Sequence, residues 1–277
     1  MGIDYLSMGD PGSPSLLMLH GIGGSADCFQ PQMHAFSDDY HVLAWNMPGY
    51  GNSTPLQPLT FETLSESVAQ LLADAGISRV HLLGHSLGGM VAQQFIADYP
   101  GKVASLTLVA TSAAFGGRDG EFQKRFISER LGPLDRGLNM KQLAPSIIDS
   151  LIGVDPDPET LAIARRSMAN VPDASYRANM ELMVTFDLRK ELGNIRVPTL
   201  VIAGEKDANA PPPVMEKMAS FIPNVQFHCV KGAGHLINLE QPSAFNAILR
   251  NFLRSVANTL QSDDEDKNGK YPHPLPG

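Results

Sequence analysis

Short apolar runs alternate along the chain with longer segments whose apolar residues recur at helical spacing, a rhythm that predicts βαβ units around a parallel sheet. Ser15–Leu19 (SLLML) and His41–Trp45 (HVLAW) read as the first clear strands. Residues 79–83 (RVHLL), Val103–Val109 (VASLTLV), 199–203 (TLVIA) and Val225–Val230 (VQFHCV) supply four more. Residues 61–75 carry apolar positions at helical intervals, with Thr60 and Glu62 giving a polar start suited to a cap. A second helix is expected over 87–99, stopped by Pro100-Gly101, and a closing helix from about 242 to 260.

From 113 to 187 the rhythm changes: no strand pattern occurs and four helical patterns follow one another. The expected architecture is an α/β fold with a mostly parallel central sheet flanked by helices. Its core comprises 1–112 and 188–260, and a helical lid, 113–187, is inserted before the strand that precedes the acid discussed below. The lid is rich in Phe122, Phe126, Met140, Met168, Met180, Met183 and Phe186. Such residues either fix a lid to its core or line a pliable apolar pocket. Its Arg125, Arg130, Arg165, Arg166 and Arg177 are candidates for a substrate carboxylate, set against the plainer reading of solvated helix faces. Residues 261–277 are polar and proline-rich and are expected to be disordered.

Composition narrows the functional classes. The hydrophobic share of 43% and charged share of 18% are those of an ordinary globular protein, and the net charge of -8 points away from nucleic acid. Two cysteines, Cys28 and Cys229, are too few for a disulfide framework, so reduced thiols are expected. The opening MGIDYLSMGDPGSP does not read as a secretory leader, and no apolar run approaches the ~18 residues of a membrane span. A cytoplasmic monomer or homodimer acting on a small molecule, with no cofactor, metal or membrane partner, is the expectation.

The chemistry centres on Gly84-His85-Ser86-Leu87-Gly88, which follows a strand and opens a helix, the context of a G-x-S-x-G nucleophile elbow. Alone the pattern is weak. A serine in so tight a turn is forced into unfavourable backbone geometry, and residues two positions either side must lack side chains. The helix N-terminus then favours negative charge developing beside the hydroxyl. A serine hydroxyl needs a base, normally a histidine held by a carboxylate.

Of eight histidines, His235 in Gly232-Ala233-Gly234-His235 lies just past the last strand, where it can swing toward the elbow. His85 adjoins Ser86 but cannot readily point at it, and His20 more simply shapes its turn. His34, His41, His81 and His228 fall in predicted helices or strands, and His273 in the tail. Asp207, after TLVIA, is the expected acid, with Glu205 as its rival. The order Ser86, Asp207, His235 is that of a strand-to-helix serine hydrolase. An oxyanion hole is expected from the backbone N–H of Leu87 and, in the loop His20-Gly21-Ile22-Gly23-Gly24, that of Ile22.

Together with Met47-Pro48-Gly49-Tyr50-Gly51-Asn52-Ser53, these landmarks resemble the α/β-hydrolase fold family over residues 1 to about 258. GAGHLINLEQPSAFN and the PGYG segment are most similar to lidded esterases and lactonases of the 3-oxoadipate enol-lactonase kind. The resemblance implies hydrolysis of a carboxylic ester or lactone of a small, largely apolar substrate through a Ser86 acyl-enzyme. Carbon-carbon hydrolysis of a dienol-type acid, or a receptor reusing the fold, are the alternatives. Leu236 stands where the carbon-carbon hydrolases tend to carry tryptophan, and Asn46 where an aspartate is common, which puts a supporting hydrogen bond in question.

Overall fold

The computed structural model describes residues 2–116, 120–154 and 156–268, with side chains through residue 259. Seven strands, β1 (Tyr5–Met8), β2 (Ser15–Leu19), β3 (His41–Trp45), β4 (Val80–His85), β5 (Val103–Val109), β6 (Thr199–Gly204) and β7 (Val225–Val230), form one sheet in the order β1-β3-β2-β4-β5-β6-β7. All neighbours are parallel except β1, which runs antiparallel to β3. The unbroken apolar runs follow from this arrangement, because strands covered on both faces need no polar side. In β2, Leu17 and Leu19 enter one core layer while Leu16 and Met18 enter the other.

The helices are α1 (Gln30–Phe36), α2 (Phe61–Asp74), α3 (Leu87–Asp98), α4 (Glu121–Asp135), α5 (Met140–Asp149), α6 (Pro158–Ala169), α7 (Asp173–Met183), α8 (Pro212–Ala219), α9 (Ile237–Glu240) and α10 (Pro242–Asn268). Phe36 of α1 and Phe245, Leu249 and Phe252 of α10 fill one layer, and Leu64, Val68 and Leu71 of α2 with Val91 and Phe95 of α3 fill the other. The start of α2 is a capping box, but Thr63, not Glu62, returns the bond to Thr60. The four helices α4 to α7 lie between β5 and β6, in the segment read from sequence as a lid.

Two boundaries differ from the sequence reading. A short strand, Tyr5–Met8, precedes β2, ahead of the two segments read from sequence as the first clear strands. The closing helix continues to Asn268 instead of ending near 260, so 261–268, expected to be disordered, are helical here. Neither proline nor glycine occurs between Pro242 and Gly269 to stop it. Residues 269–277 lie outside the described residues. Among the described residues no helix is long and apolar enough to cross a membrane, and Cys28 (buried) and Cys229 (exposed) are both free.

Candidate active site

Parallel strands carry their loops to one edge of the sheet, and the residues singled out from sequence gather beyond the carboxyl ends of β2, β4, β6 and β7. Ser86 occupies the turn between β4 and α3 with φ 53° and ψ -118°, a conformation that costs a non-glycine residue of order 1–3 kcal/mol. The turn can be this tight because a Cβ on Gly84 would lie 2.3 Å from the Gly88 carbonyl oxygen, and one on Gly88 2.2 Å from that of Leu19. The Ser86 N–H donates to Val109 O (2.9 Å) and its carbonyl accepts from Thr111 Oγ1 (2.8 Å), so the end of β5 and the loop after it brace the strained residue on both sides.

His235 is held three ways. Its Nδ1 lies 2.8 Å from Asp207 Oδ2, its N–H donates to Leu151 O (2.6 Å), and its carbonyl accepts from His85 Nε2 (2.8 Å). The Asp207 side chain is fully buried, and its Oδ1 accepts the N–H groups of Asn209 (2.8 Å) and Ala210 (3.1 Å). Burial opposes its ionisation, but the His235 charge, the hydrogen bond to that ring and the two backbone N–H groups outweigh it and hold the carboxyl below its usual range. Glu205 turns elsewhere: it accepts from Gly232 N–H (3.1 Å) and pairs with Lys206 (3.5 Å). With Nδ1 occupied, His235 has Nε2 left for a substrate-side proton. No hydrogen bond joins Ser86 and His235 in this structure, although both line one cavity.

Of the two expected backbone donors, Ile22 lines the cavity, and Leu87 follows the cavity-lining Ser86 at the start of α3. Neither the Leu87 N–H nor the Ile22 N–H has an acceptor among the described residues. The orientation of the second follows from its neighbours: Gly21 O accepts from His20 Nδ1 (2.7 Å) and Gly24 N–H (3.0 Å). In a trans peptide the next N–H points the opposite way. His20 Nε2 accepts from Met47 N–H (3.0 Å), and Tyr50 O–H donates to Ile22 O (2.8 Å), so the loop is fixed at both ends. Burial pushes His20 down to about 4, which keeps it neutral and able to make both bonds. Asn46, despite not being an aspartate, does provide support: its Oδ1 accepts from Ala26 N–H (2.9 Å) and its Nδ2 donates to Asp4 (2.8 Å).

Two residues of the site were not singled out from sequence. His85, buried and pushed down to about 3 chiefly by that burial, carries the His235 carbonyl. Glu240, 3% exposed, accepts Gly234 N–H (2.8 Å) and Leu236 N–H (2.8 Å), which flank His235, and Gly153 N–H (2.6 Å) from the loop between α5 and α6. A glutamate beside the apolar Ile237 and Leu239, just after His235, was the available signal, because a buried carboxyl needs donors around it. His41 and His81 bond Ser7 and Ser105 within the sheet.

The cavity measures about 1330 Å³, above the ~300–1,000 Å³ of most small-molecule sites. Phe115, Phe126, Met168, Met180 and Met183 give it an apolar wall.

The sequence model of the α/β hydrolase fold matches residues 14–242. A protein named as a carbamate hydrolase, RutD, of Variovorax paradoxus (strain S110) is 29% identical over 93% of this chain and 98% of its own. A poly(3-hydroxyalkanoate) depolymerase of Ectopseudomonas oleovorans is 30% identical over 88% of this chain and 87% of its own. Among solved structures, the enol-lactonase from Burkholderia xenovorans LB400 superposes with a TM-score of 0.81 at 26% identity, over 91% of this chain and 96% of that one.

Proposed function

Because this chain belongs to the α/β-hydrolase fold family, we propose that it is a serine hydrolase cleaving a carboxylic ester or lactone of a largely apolar small molecule. In this reading Ser86 Oγ attacks the carbonyl carbon while His235 Nε2 accepts its proton. Asp207 keeps the histidine proton on Nδ1 and offsets the imidazolium charge. The N–H groups of Ile22 and Leu87 receive the oxyanion. Return of the proton from His235 expels the alcohol and leaves an ester on Ser86. Water, deprotonated by the same nitrogen, then releases the acid and restores the hydroxyl. Ser86 and His235 close to hydrogen-bonding distance when substrate binds, as such pairs commonly do.

The observation that carries the reading is the conjunction of a strained Ser86 with a buried, hydrogen-bonded His235–Asp207 pair at the same cavity. Either feature alone has a plain structural explanation; together they set a nucleophile beside an oriented base. The names of the depolymerase and the enol-lactonase both describe cleavage at an ester carbonyl, which favours esters over carbon-carbon bonds. Residues 113–187 act as a lid that selects the acyl or alcohol group. The test is a side-by-side assay of chromogenic esters, lactones and dienol acids with purified protein. Turnover of esters or lactones well above the others is expected. Binding without turnover of any would replace the enzyme by a receptor.

A further inference from the structure

The cavity is not apolar throughout. Of the five lid arginines singled out from sequence, Arg165 and Arg177 are paired with Asp149 (2.8 Å) and Asp135 (2.6 Å), and Arg125 lies 5.9 Å over the exposed Phe122 ring. Only Arg130 of the five lines the cavity. It is half-buried, sits 5.5 Å over the Phe126 ring and has a long contact, 3.5 Å, to Asn209 Oδ1. No carboxylate pairs with it among the described residues. The second observation is independent. Tyr176 of α7 is fully buried against the same cavity, and its hydroxyl has no partner among the described residues. A buried hydroxyl left unpaired costs about 1–3 kcal/mol, so its position is explained if a ligand atom completes it. Arg130 is close enough for its charge to act on Tyr176. The remaining charged residues on the wall are Arg189, Lys190, Lys217 and Glu129, a basic excess in a chain of net charge -8.

A guanidinium and a phenolic O–H both donate, and they complement an acceptor that carries negative charge. We propose that Arg130 and Tyr176 form a carboxylate-binding subsite, and that the preferred substrate is an ester bearing a carboxylate separated from the scissile bond by an apolar spacer. A half-ester of a dicarboxylic acid has this chemistry. The spacer lies against Phe126, Met180 and Met183, and the cavity volume admits it. This deepens the ester-hydrolase reading and rests on it.

The test compares 4-nitrophenyl half-esters of dicarboxylic acids with 4-nitrophenyl alkanoates of equal chain length, using the full chain and its Arg130→Gln and Tyr176→Phe variants. For at least one spacer length the unaltered protein should favour the half-ester in kcat/KM by about tenfold or more, a typical gain for a charge-assisted contact. Each variant should lose most of that preference while its alkanoate turnover stays within about twofold, and added salt should erode the preference. Alkanoate turnover with no half-ester preference at any length overturns the subsite and leaves the ester reading intact. So does an equal loss on both substrate series in both variants. No turnover of either series by folded protein overturns the ester reading and the subsite with it.

Discussion

Glu240→Gln perturbs the loop that carries His235 without altering any atom of the cavity wall. In the structure Glu240 Oε2 accepts Gly153 N–H and Gly234 N–H, and Oε1 accepts Leu236 N–H. An amide keeps the shape but exchanges one acceptor for a donor. In its better orientation it strands the Leu236 N–H, about 1–3 kcal/mol for a buried group, and the two retained bonds lose charge assistance at roughly 1 kcal/mol each. The sum is about 3–5 kcal/mol, a large part of the ~5–15 kcal/mol that holds a typical protein folded. At roughly 2–4 °C per kcal/mol for a chain of this size, the melting midpoint should fall by about 10 °C. Because Gly234 and Leu236 bracket His235, kcat should fall as well at temperatures where the variant remains folded, with KM little changed. Thermal melts and ester kinetics on Glu240→Gln, with the exposed Glu216→Gln as control, give both readouts. A variant matching the unaltered protein in midpoint and kcat would refute the role assigned to this carboxyl.

Asp207→Asn should lower kcat by on the order of 10⁴-fold through loss of the productive tautomer, whereas Glu205→Gln, at an exposed side chain turned away from His235, should stay within about threefold; steady-state kinetics on one ester distinguish them, and the reverse ranking would move the acid to Glu205. Met180→Ala and Met183→Ala enlarge the cavity, so the ratio of kcat/KM for long and short acyl esters should shift by up to about 100-fold while turnover persists; unchanged ratios in folded variants would make the lid a mere cover. The pH dependence of stability also follows. Burial holds His20 and His81 at about 4 against an ordinary 6.5, so below pH 6.5 the unfolded chain takes up protons that the folded one refuses. Stability is therefore complete above about pH 6.5 and declines as pH falls toward 4, by up to about 3 kcal/mol for each ring. Urea melts from pH 7.5 to 4.5 check this, and His81→Gln should flatten the decline.

The fold was legible in the sequence because its strands are buried on both faces and so read as unbroken apolar runs. The mostly parallel sheet of the α/β-hydrolase fold is as expected, with its six expected strands joined by β1 as a seventh. The short β1 was harder, since a half-buried edge strand such as Tyr5–Met8 carries little pattern. Where α10 ends was also hidden: QSDDEDKN has the composition of a solvated tail, yet nothing in it breaks a helix. Ser86, Asp207 and His235 were visible because each follows a strand with glycine close by. The bracing around them was not. His85 looked excluded by its adjacency to Ser86, but its ring turns to the His235 carbonyl on another loop. Contacts that join Glu240 to Gly153 across 87 positions leave no local signature. Choosing among the five candidate arginines of the lid likewise required knowing which acidic neighbours the fold supplies.

The most direct test of the proposed mechanism is covalent labelling of Ser86. A fluorophosphonate should form a bond from phosphorus to Ser86 Oγ with loss of fluoride, and peptide mass spectrometry should find the adduct on Ser86 at one equivalent as ester turnover disappears. Folded Ser86→Ala protein should neither label nor retain turnover above a loss of several orders of magnitude. Full ester turnover by pure Ser86→Ala protein, or stoichiometric labelling elsewhere that abolishes turnover, would contradict the acyl-enzyme mechanism.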